Sequence, residues 1–439
     1  MNEAGFHALA EDLYAGLDAG EILLLELLGE DSDFLRFSQA RFRQGGRVHQ
    51  AEVELRLIRG RRQARARSTV AGDPAIDRPR LRRLVAGLRA QLPHLPEDPF
   101  LLYDREPARR SRRDPGTLPA AAEVAGAVAH AADGLDLVGI WAAGSLQRGF
   151  ASSLGHRLWH ESGTFNFDWS CHLPAGQAVK QRYAGSRWDA EGLRARLEGA
   201  RDQLAVMARP PVPASRGTHR AYLAPMALAG LLDMLQDGAF GLDSLRTRRS
   251  PLLRLAQGTR RLSPRVTLEE HTARGLAPDF TGEGFPKPPR VRLVTDGRLG
   301  EPLVAARSAA EYGTPVNCDF EAPESLDLLP GELREGDIAG ALGDGLWINN
   351  LWYCNWSDRN DCRITGMTRY ACLRVSGGEV IGQVAPMRFD DSLLDLLGER
   401  LEGLSDTREE ILQARTYGGR SLGSQRLPGA LVAGLRLTL

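Results

Sequence analysis

The sequence predicts an α+β protein of two domains: an N-terminal α+β domain with an antiparallel sheet over residues 1–208 and a β-rich C-terminal domain over 219–439. Three observations lead to this reading. Apolar residues near the N-terminus recur at helical spacing and then switch to period two. Arg209-Pro210-Pro211-Val212-Pro213-Ala214-Ser215 is the strongest linker pattern in the chain. Beyond it, short alternating segments bounded by turn residues outnumber helical patterns.

Taken in order, Phe6, Leu9, Ala10, Leu13 and Leu17 mark an amphipathic helix ending near Gly20. From about Asp33, residues Phe34 to Phe42, Val48 to Ile58 and Gln63 to Thr69 read as an antiparallel meander turning at Gln44-Gly45-Gly46 and Arg59-Gly60. Leu81, Leu84, Val85 and Leu88 restore the helical period as far as Pro93. Asp104 to Pro119 carries Arg109, Arg110, Arg112 and Arg113 among prolines and reads as a solvated loop, with an anionic-partner patch as the alternative. A helix over Ala120 to Ala132 leads into a buried strand from Leu135 to Ala143. Phe165, Phe167, Trp169, Cys171 and Leu173 then share one strand face, opposite Asn166, Asp168, Ser170 and His172. A polar helix follows at Ala190 to Leu204. The second half opens on a short strand and a helix striped with Leu228, Leu231, Leu232 and Leu235. Later strands are expected at Val291 to Thr295 and Ala371 to Val375, each before a Gly-containing turn.

Lys+Arg and Asp+Glu are both 56 in a chain of 439 residues, so with neutral histidines no net field draws it to nucleic acid or anionic lipid. No run approaches the roughly 18 apolar residues of a membrane span, and Met1-Asn2-Glu3 lacks the basic start of a signal peptide. The expected location is the cytoplasm, without nucleic-acid or membrane partners. Cys171, Cys318, Cys354, Cys362 and Cys372 are odd in number and scattered, which fits reduced thiols.

Catalytic patterns are sparse. His156, His160, Glu161 and His172 are the nearest approach to a metal cluster. On an extended strand, however, His156 and His160 stand about 13 Å apart, too far to share an ion. Cys354, Cys362 and Cys372 match no zinc-ribbon spacing and read as buried apolar residues. Glu269-Glu270-His271 reads as a turn after an Arg265 to Leu268 strand. No Ser-x-x-Lys pair or phosphate loop is present, and Gly418, Gly419 and Gly423 read as a bend between strands. The distinctive segment is Trp347 to Arg369, in which aromatics alternate with amides. Such a pattern suits a groove for extended peptide, with rings packing side chains and polar groups pairing backbone; the plainer reading is domain core. Alternation places Asn350, Trp352 and Trp356 on one face and Leu351, Tyr353 and Asn355 on the other. Asn350, Trp352, Tyr353, Asn355, Trp356, Arg359, Thr365 and Arg369 are the candidate substrate- or partner-facing residues.

At this segment the chain resembles the TldD/PmbA (TldE) family. Gly345 to Leu351, Thr365-Gly366 with Arg369, and Val375-Ser376-Gly377-Gly378-Glu379-Val380 are similar to its C-terminal domain. Glu30 to Phe37, Gln44-Gly45, Tyr222 to Ala227, Ser250-Pro251-Leu252, Ser263-Pro264 and Gly282-Glu283-Gly284 follow the order of its PmbA/TldE branch. The resemblance implies a barrel-like C-terminal domain in a heterodimeric metallopeptidase that admits unfolded peptides. It also implies that the TldD-type subunit holds zinc through a His-Glu-x-x-x-His helix and a later cysteine, with the glutamate as general base. Here the equivalent helix begins near Leu223, and Tyr222 to Leu235 contains neither histidine nor glutamate. Tyr417-Gly418-Gly419-Arg420-Ser421-Leu422-Gly423, where the third ligand would fall, has no cysteine.

The resemblance therefore implies a non-catalytic TldE-like subunit without catalytic or metal-binding residues of its own. Its partner would be a zinc-bearing TldD-like subunit, its substrate unfolded peptide, and a homodimer would be open to it when that partner is absent. The alternatives are a stand-alone binding protein of the gyrase-modulator or toxin–antitoxin kind, and an autonomous metallopeptidase with unrecognised ligands such as His156, His160 or Cys372.

Overall fold

The computed structural model of the chain describes residues 1–414, 416 and 418–438. Its N-terminal half is built on a seven-stranded sheet. Helix α1 (Glu3–Tyr14) starts where the Asn2 side chain accepts the Gly5 N–H, and it buries Phe6, Leu9, Ala10 and Leu13. It stops before Leu17 because the chain turns there to enter β1. Strands β1 (Glu21–Ser38), β2 (Arg41–Arg59) and β3 (Arg62–Thr69) form the meander. The first turn lies at Gln39 and Ala40, both in left-handed conformations, and not at Gln44 to Gly46; Gly45 and Gly46 pair with Leu35 and Phe34 inside the hairpin. Glu21 to Leu28 also belongs to β1. Its Leu-rich run carries no period-two signal, since Leu23, Leu24 and Leu25 are all buried.

Helix α2 (Pro74–Gln91) has Asp73 as its N-cap and Pro74 in its first turn. The arginine-rich segment, expected as a loop, is strand β4 (Arg109–Asp114), paired in parallel with β6 (Arg157–His172). An edge strand of exposed polar residues has no apolar alternation from which to be recognised. Helix α3 (Ala121–Ala131) precedes β5 (Asp136–Ser152), nine residues longer at its C-terminal end than expected. Strands β6 and β7 (Ala178–Gly185) form a hairpin, and helix α4 (Ala190–Met207), capped by Asp189, covers the sheet. The sheet order is β3-β2-β1-β5-β6-β4, with β7 beyond β4 on the same edge of β6. Phe165, Phe167, Trp169 and Cys171 face the core as their alternation requires.

Residues 209–215 have no regular structure, and Val212 donates its N–H to Gln383 of the second half. There, β8 (Gly217–Leu223) leads directly into α5 (Pro225–Leu232), with Pro225 in the first turn. Strands β9 (Leu268–Glu270), β10 (Val291–Thr295), β11 (Arg298–Leu299) and β12 (Ser325–Leu328) belong to a sheet completed by strands near the C-terminus. Glu269 and Glu270 are strand residues rather than a turn, and the Glu270 carboxylate accepts the N–H groups of Glu324 and Ser325.

Strands β13 (Gly345–Asp358), β14 (Arg363–Ser376), β15 (Glu379–Gln383) and β16 (Arg388–Ser392) follow. Then come β17 (Leu401–Leu404), β18 (Glu409–Leu412), β19 (Ser424–Leu427) and β20 (Ala430–Leu437). The order β13-β8-β20-β16-β14, with β14 pairing back onto β13, closes a five-stranded barrel. Leu223, Leu346, Ile348, Ile364, Phe389 and Val432 belong to its core. Strands β18 and β19 complete the other sheet as β11-β10-β9-β12-β19-β18.

The halves share a seam. Ala371 and Leu373 pack in the same apolar cluster as Phe167 and Trp169. His160 Nε2 lies 2.8 Å from the Leu276 carbonyl oxygen, and burial pushes its pKa down to about 4, so it is the neutral donor of that bond. His156 bonds Ser152 at 2.7 Å. Cys171, Cys318, Cys362 and Cys372 are buried. Burial pushes the thiols of Cys171, Cys354, Cys362 and Cys372 up to about 12, which keeps them protonated and unreactive. Among the described residues no helix is long and apolar enough to cross a membrane.

Acidic groups also meet at the seam. Asp319 is pushed up to about 8, first by burial and then by Glu26 of β1, while it accepts the Gly282 N–H at 2.9 Å. Burial pushes Glu270 up to about 7. Each retains a proton in the fold that an unfolded carboxyl loses near pH 4, so their contribution to stability falls between about pH 4 and 8. Asp319→Asn should flatten that decline in urea midpoints measured across this range; curves parallel to the parent would contradict the assignment.

Candidate functional site

A cleft of about 640 Å³ opens between the two halves. The N-terminal sheet supplies Asp168 from β6 and Lys180 and Arg182 from β7, brought together because Asp168 and Arg182 are cross-strand partners. Asp168 lies 3.1 Å from Lys180 Nζ and 2.9 Å from Arg182 Nη2. Arg182 also donates to the Leu412 carbonyl oxygen at 3.1 Å, tying β7 to β18. Across the cleft stand α5 and its following turn, with Met226, Gly230, Asp233 and Gln236. Asp233 accepts hydrogen bonds from the side chains of Gln236 and Gln425. Gly230 faces β13, where an added Cβ would make ordinary contacts 3.7–3.9 Å from Leu351 and Cys354.

The β13–β14 hairpin forms the third wall; its pairing is interrupted by three bulges, one of them at Ser357 beyond the cleft, and the other two shape the wall. Tyr370 and Ala371, both at positive φ, oppose Asn349 alone; Tyr353 and Cys354, the former at positive φ, oppose Gly366. The second bulge reverses the alternation. Trp356 therefore joins Leu351 and Cys354 against the core, while Trp352, Tyr353 and Asn355 point outward. The expected common face of Trp352 and Trp356 is thereby corrected, because period-two reading cannot register an inserted residue.

Of the eight candidates, Asn350 and Trp352 line the cleft. Asn350 is buried and donates from Nδ2 to the Lys180 carbonyl oxygen at 3.0 Å. Trp352 is 41% exposed and meets Tyr370 edge-on at 6.1 Å, with the Arg369 guanidinium 5.2 Å from the centroid of each ring. Tyr353, 78% exposed, projects from the bulge beside Asn355. Arg359 lies elsewhere, stacked on Trp356 and donating to the Asp237 and Arg249 carbonyls. Thr365 donates to Phe389 and accepts from Arg388, a structural use within the barrel. Reading the sequence did not single out Lys180, Arg182, Asp233 or Gln425 for this site. Only the register that brings β7, α5 and β19 together reveals them.

The connection between β18 and β19 closes the fourth side. Tyr417 lies outside the described residues, but Gly418 to Arg420 dock on the N-terminal sheet. Arg420, only 9% exposed, donates to Thr164 Oγ1 and O at 2.7 and 2.9 Å and to Ser32 Oγ at 3.2 Å. Its main-chain N–H meets the Glu30 carboxylate at 3.1 Å. Burial pushes its pKa down to about 10, so it stays charged at neutral pH.

The zinc that the resemblance implies for a catalytic subunit does not fit this cleft. No His, Cys or Glu is among its described lining residues; Asp168 is held by Lys180 and Arg182, and Asp233 by two glutamine side chains. His160 is bonded to Leu276 across the seam, and His156 to Ser152 with Asp104 3.7 Å away. Among the described residues no three His, Cys, Asp or Glu side chains gather closely enough to hold an ion.

Residues 216–438 match the family model described as the PmbA/TldA metallopeptidase C-terminal domain, and the chain belongs to this PmbA/TldD family. Its fold is that of TldE from Thermococcus kodakarensis, with a TM-score of 0.80 at 15% identity over 99% of this chain and 100% of that one. A candidate modulator of DNA gyrase from Thermotoga maritima superposes with a TM-score of 0.77 at 14% identity, covering 99% and 100% of the two chains. Another, from Bacteroides thetaiotaomicron, gives 0.74 at 14% identity, covering 100% and 98%. No curated protein sequence matches the chain.

Removing the buried guanidinium of Arg420 leaves Thr164 O and Oγ1, Ser32 Oγ and the Gly144 carbonyl oxygen without that donor, while the main-chain bond to Glu30 remains. Arg420→Met should cost about 3 kcal/mol in urea unfolding. Hydrogen exchange should also rise at residues 421–424 while β8 keeps its protection. Unchanged exchange there would show that other contacts hold the segment.

Proposed function

We propose that this chain is a non-catalytic, TldE-like subunit that pairs with a zinc-bearing member of its family and completes a compartment for unfolded peptide. The observation that carries the reading is the donor set of the cleft. The helix on which the resemblance places a metal motif faces the cleft with Met226 and Gly230, and its following turn adds Asp233 and Gln236. Without imidazole or thiolate ligands these groups cannot generate a metal-bound hydroxide by the family's route. They can still line a peptide's path. The exposed Trp352 ring, stacked with Arg369 and Tyr370, offers a surface for side chains, and Lys180, Arg182 and Gln425 bring polar groups to the same space.

The reading is tested by incubating an unfolded casein peptide with the purified chain alone, with added zinc, and with a co-expressed TldD-type chain from the same organism. The expected result is no hydrolysis in the first two cases and hydrolysis by a co-purifying mixed assembly in the third. Trp352→Ala should lower turnover by that assembly about 5- to 30-fold, corresponding to about 1–2 kcal/mol of lost peptide contact. Zinc-dependent hydrolysis by the chain alone would contradict the proposal.

A further inference from the structure

Strand β4, Arg109 to Asp114, lies at the rim of the N-terminal sheet and uses none of the cleft residues. The Arg157 N–H donates to the Ala108 carbonyl oxygen at 2.8 Å, and Arg109 is the register partner of Arg157. In a parallel ladder this phase turns the main-chain groups of Arg110 and Arg112 toward β6 and those of Arg109, Ser111 and Arg113 outward. The outward N–H and C=O groups have no hydrogen-bond partner among the described residues. They alternate at the spacing of a strand that still lacks a neighbour.

Beside this edge runs a groove of about 510 Å³ whose lining includes Glu3 and His7 of α1 together with Arg109, Arg113 and Arg157. Glu3 already pairs with Arg113 and accepts the Ser111 hydroxyl at 2.9 Å. Arg109 and Arg157 have no carboxylate partner among the described residues and, as register partners, share a face. His7 is only 4% exposed, yet neither ring nitrogen has a hydrogen-bond partner. Burial, reinforced by Arg157, pushes its pKa down to about 4, so at neutral pH it offers one N–H and one lone pair without adding charge.

We propose that β4 is the docking edge for an extended acidic peptide segment, which adds a strand to the N-terminal sheet. Its main chain pairs with Arg109, Ser111 and Arg113, and its alternate carboxylates meet Arg109 and Arg157. The edge chemistry favours a peptide over a nucleic acid. Phosphates only accept hydrogen bonds, whereas this edge presents carbonyl acceptors between its N–H donors, and Glu3 within the groove opposes a continuous polyanion. Edge arginines also discourage neutral and basic strands from pairing, so the same charges that protect the edge select an acidic partner.

The test uses fluorescence anisotropy at low ionic strength with the full chain and a labelled peptide of about ten residues that alternates Glu and Thr. Three comparison probes are a Lys/Thr peptide, the Glu/Thr peptide N-methylated at every second residue, and a labelled oligothymidylate of similar length. Saturable binding of the Glu/Thr peptide is expected, weaker by about tenfold or more for each of the other probes. Arg109→Ser combined with Arg157→Ser should weaken binding by a similar factor. Ser111→Pro removes one outward N–H while keeping every arginine, and proline is tolerated at such an edge position, so an unchanged melting temperature with about tenfold weaker binding is expected. Absence of saturable binding, equal binding of the N-methylated peptide, undiminished binding by a folded Ser111→Pro variant, or tighter binding of the thymidylate would each overturn the proposal.

Discussion

The antiparallel pairing of Gly345–Asp358 with Arg363–Ser376 closes the C-terminal barrel, and closure removes the freedom of every other strand in it to slide. Strand β8 is caught between β13 and β20, so the helix that begins two residues after its end is fixed over one flank of the barrel. Two of the three bulges in the closing pair bend the strands where Tyr353, Tyr370 and Ala371 take left-handed backbone conformations. They also leave Trp352 facing outward while Trp356 packs against the core. The cleft thus inherits its helical wall and its aromatic wall from the same requirement that the sheet meet itself.

Its remaining walls come from the seam, where burial of charge sets specificity more than net stability. Arg420 inserts into the N-terminal sheet among Ser32, Thr164 and the Glu30 carboxylate, and Arg182 reaches back to Leu412. Desolvating a guanidinium is costly, and several directed acceptors offset that cost only in one docking geometry. The β18–β19 connection is therefore tied to one place on the N-terminal sheet. The same tie positions Ser424 and Gln425 against α5. An apolar seam alone would leave that register less defined.

Much of the scaffold was legible because it follows simple periodicities. The helices containing Leu81, Val128 and Leu197, and the strand containing Phe165 to Cys171, obey the 3.6 and 2.0 repeats of half-buried elements. The first half of β1 escaped notice because both its faces are buried, and β4 because its side chains are mostly exposed. Of the cleft, the alternation of aromatics and amides indicated the Trp347 to Arg369 segment, and the resemblance indicated the helix wall. The bulges that decide which tryptophan faces solvent leave no local mark in Tyr353-Cys354 or Tyr370-Ala371. Lys180, Arg182 and Gln425 come from elements far apart in sequence, so their convergence depends on tertiary packing that no window of residues contains.

The family is one of metallopeptidases, and no His, Cys or Glu is among the described residues that line the cleft; the proposed pairing with a zinc-bearing subunit would reconcile the two. The central claim is that this polypeptide holds no zinc of its own. Elemental analysis of the purified, tag-free chain is its most direct test. Protein zinc sites with a complete ligand set bind tightly enough to survive purification, so the account predicts less than about a tenth of an equivalent. A value near one equivalent would contradict it and place a metal site in this chain.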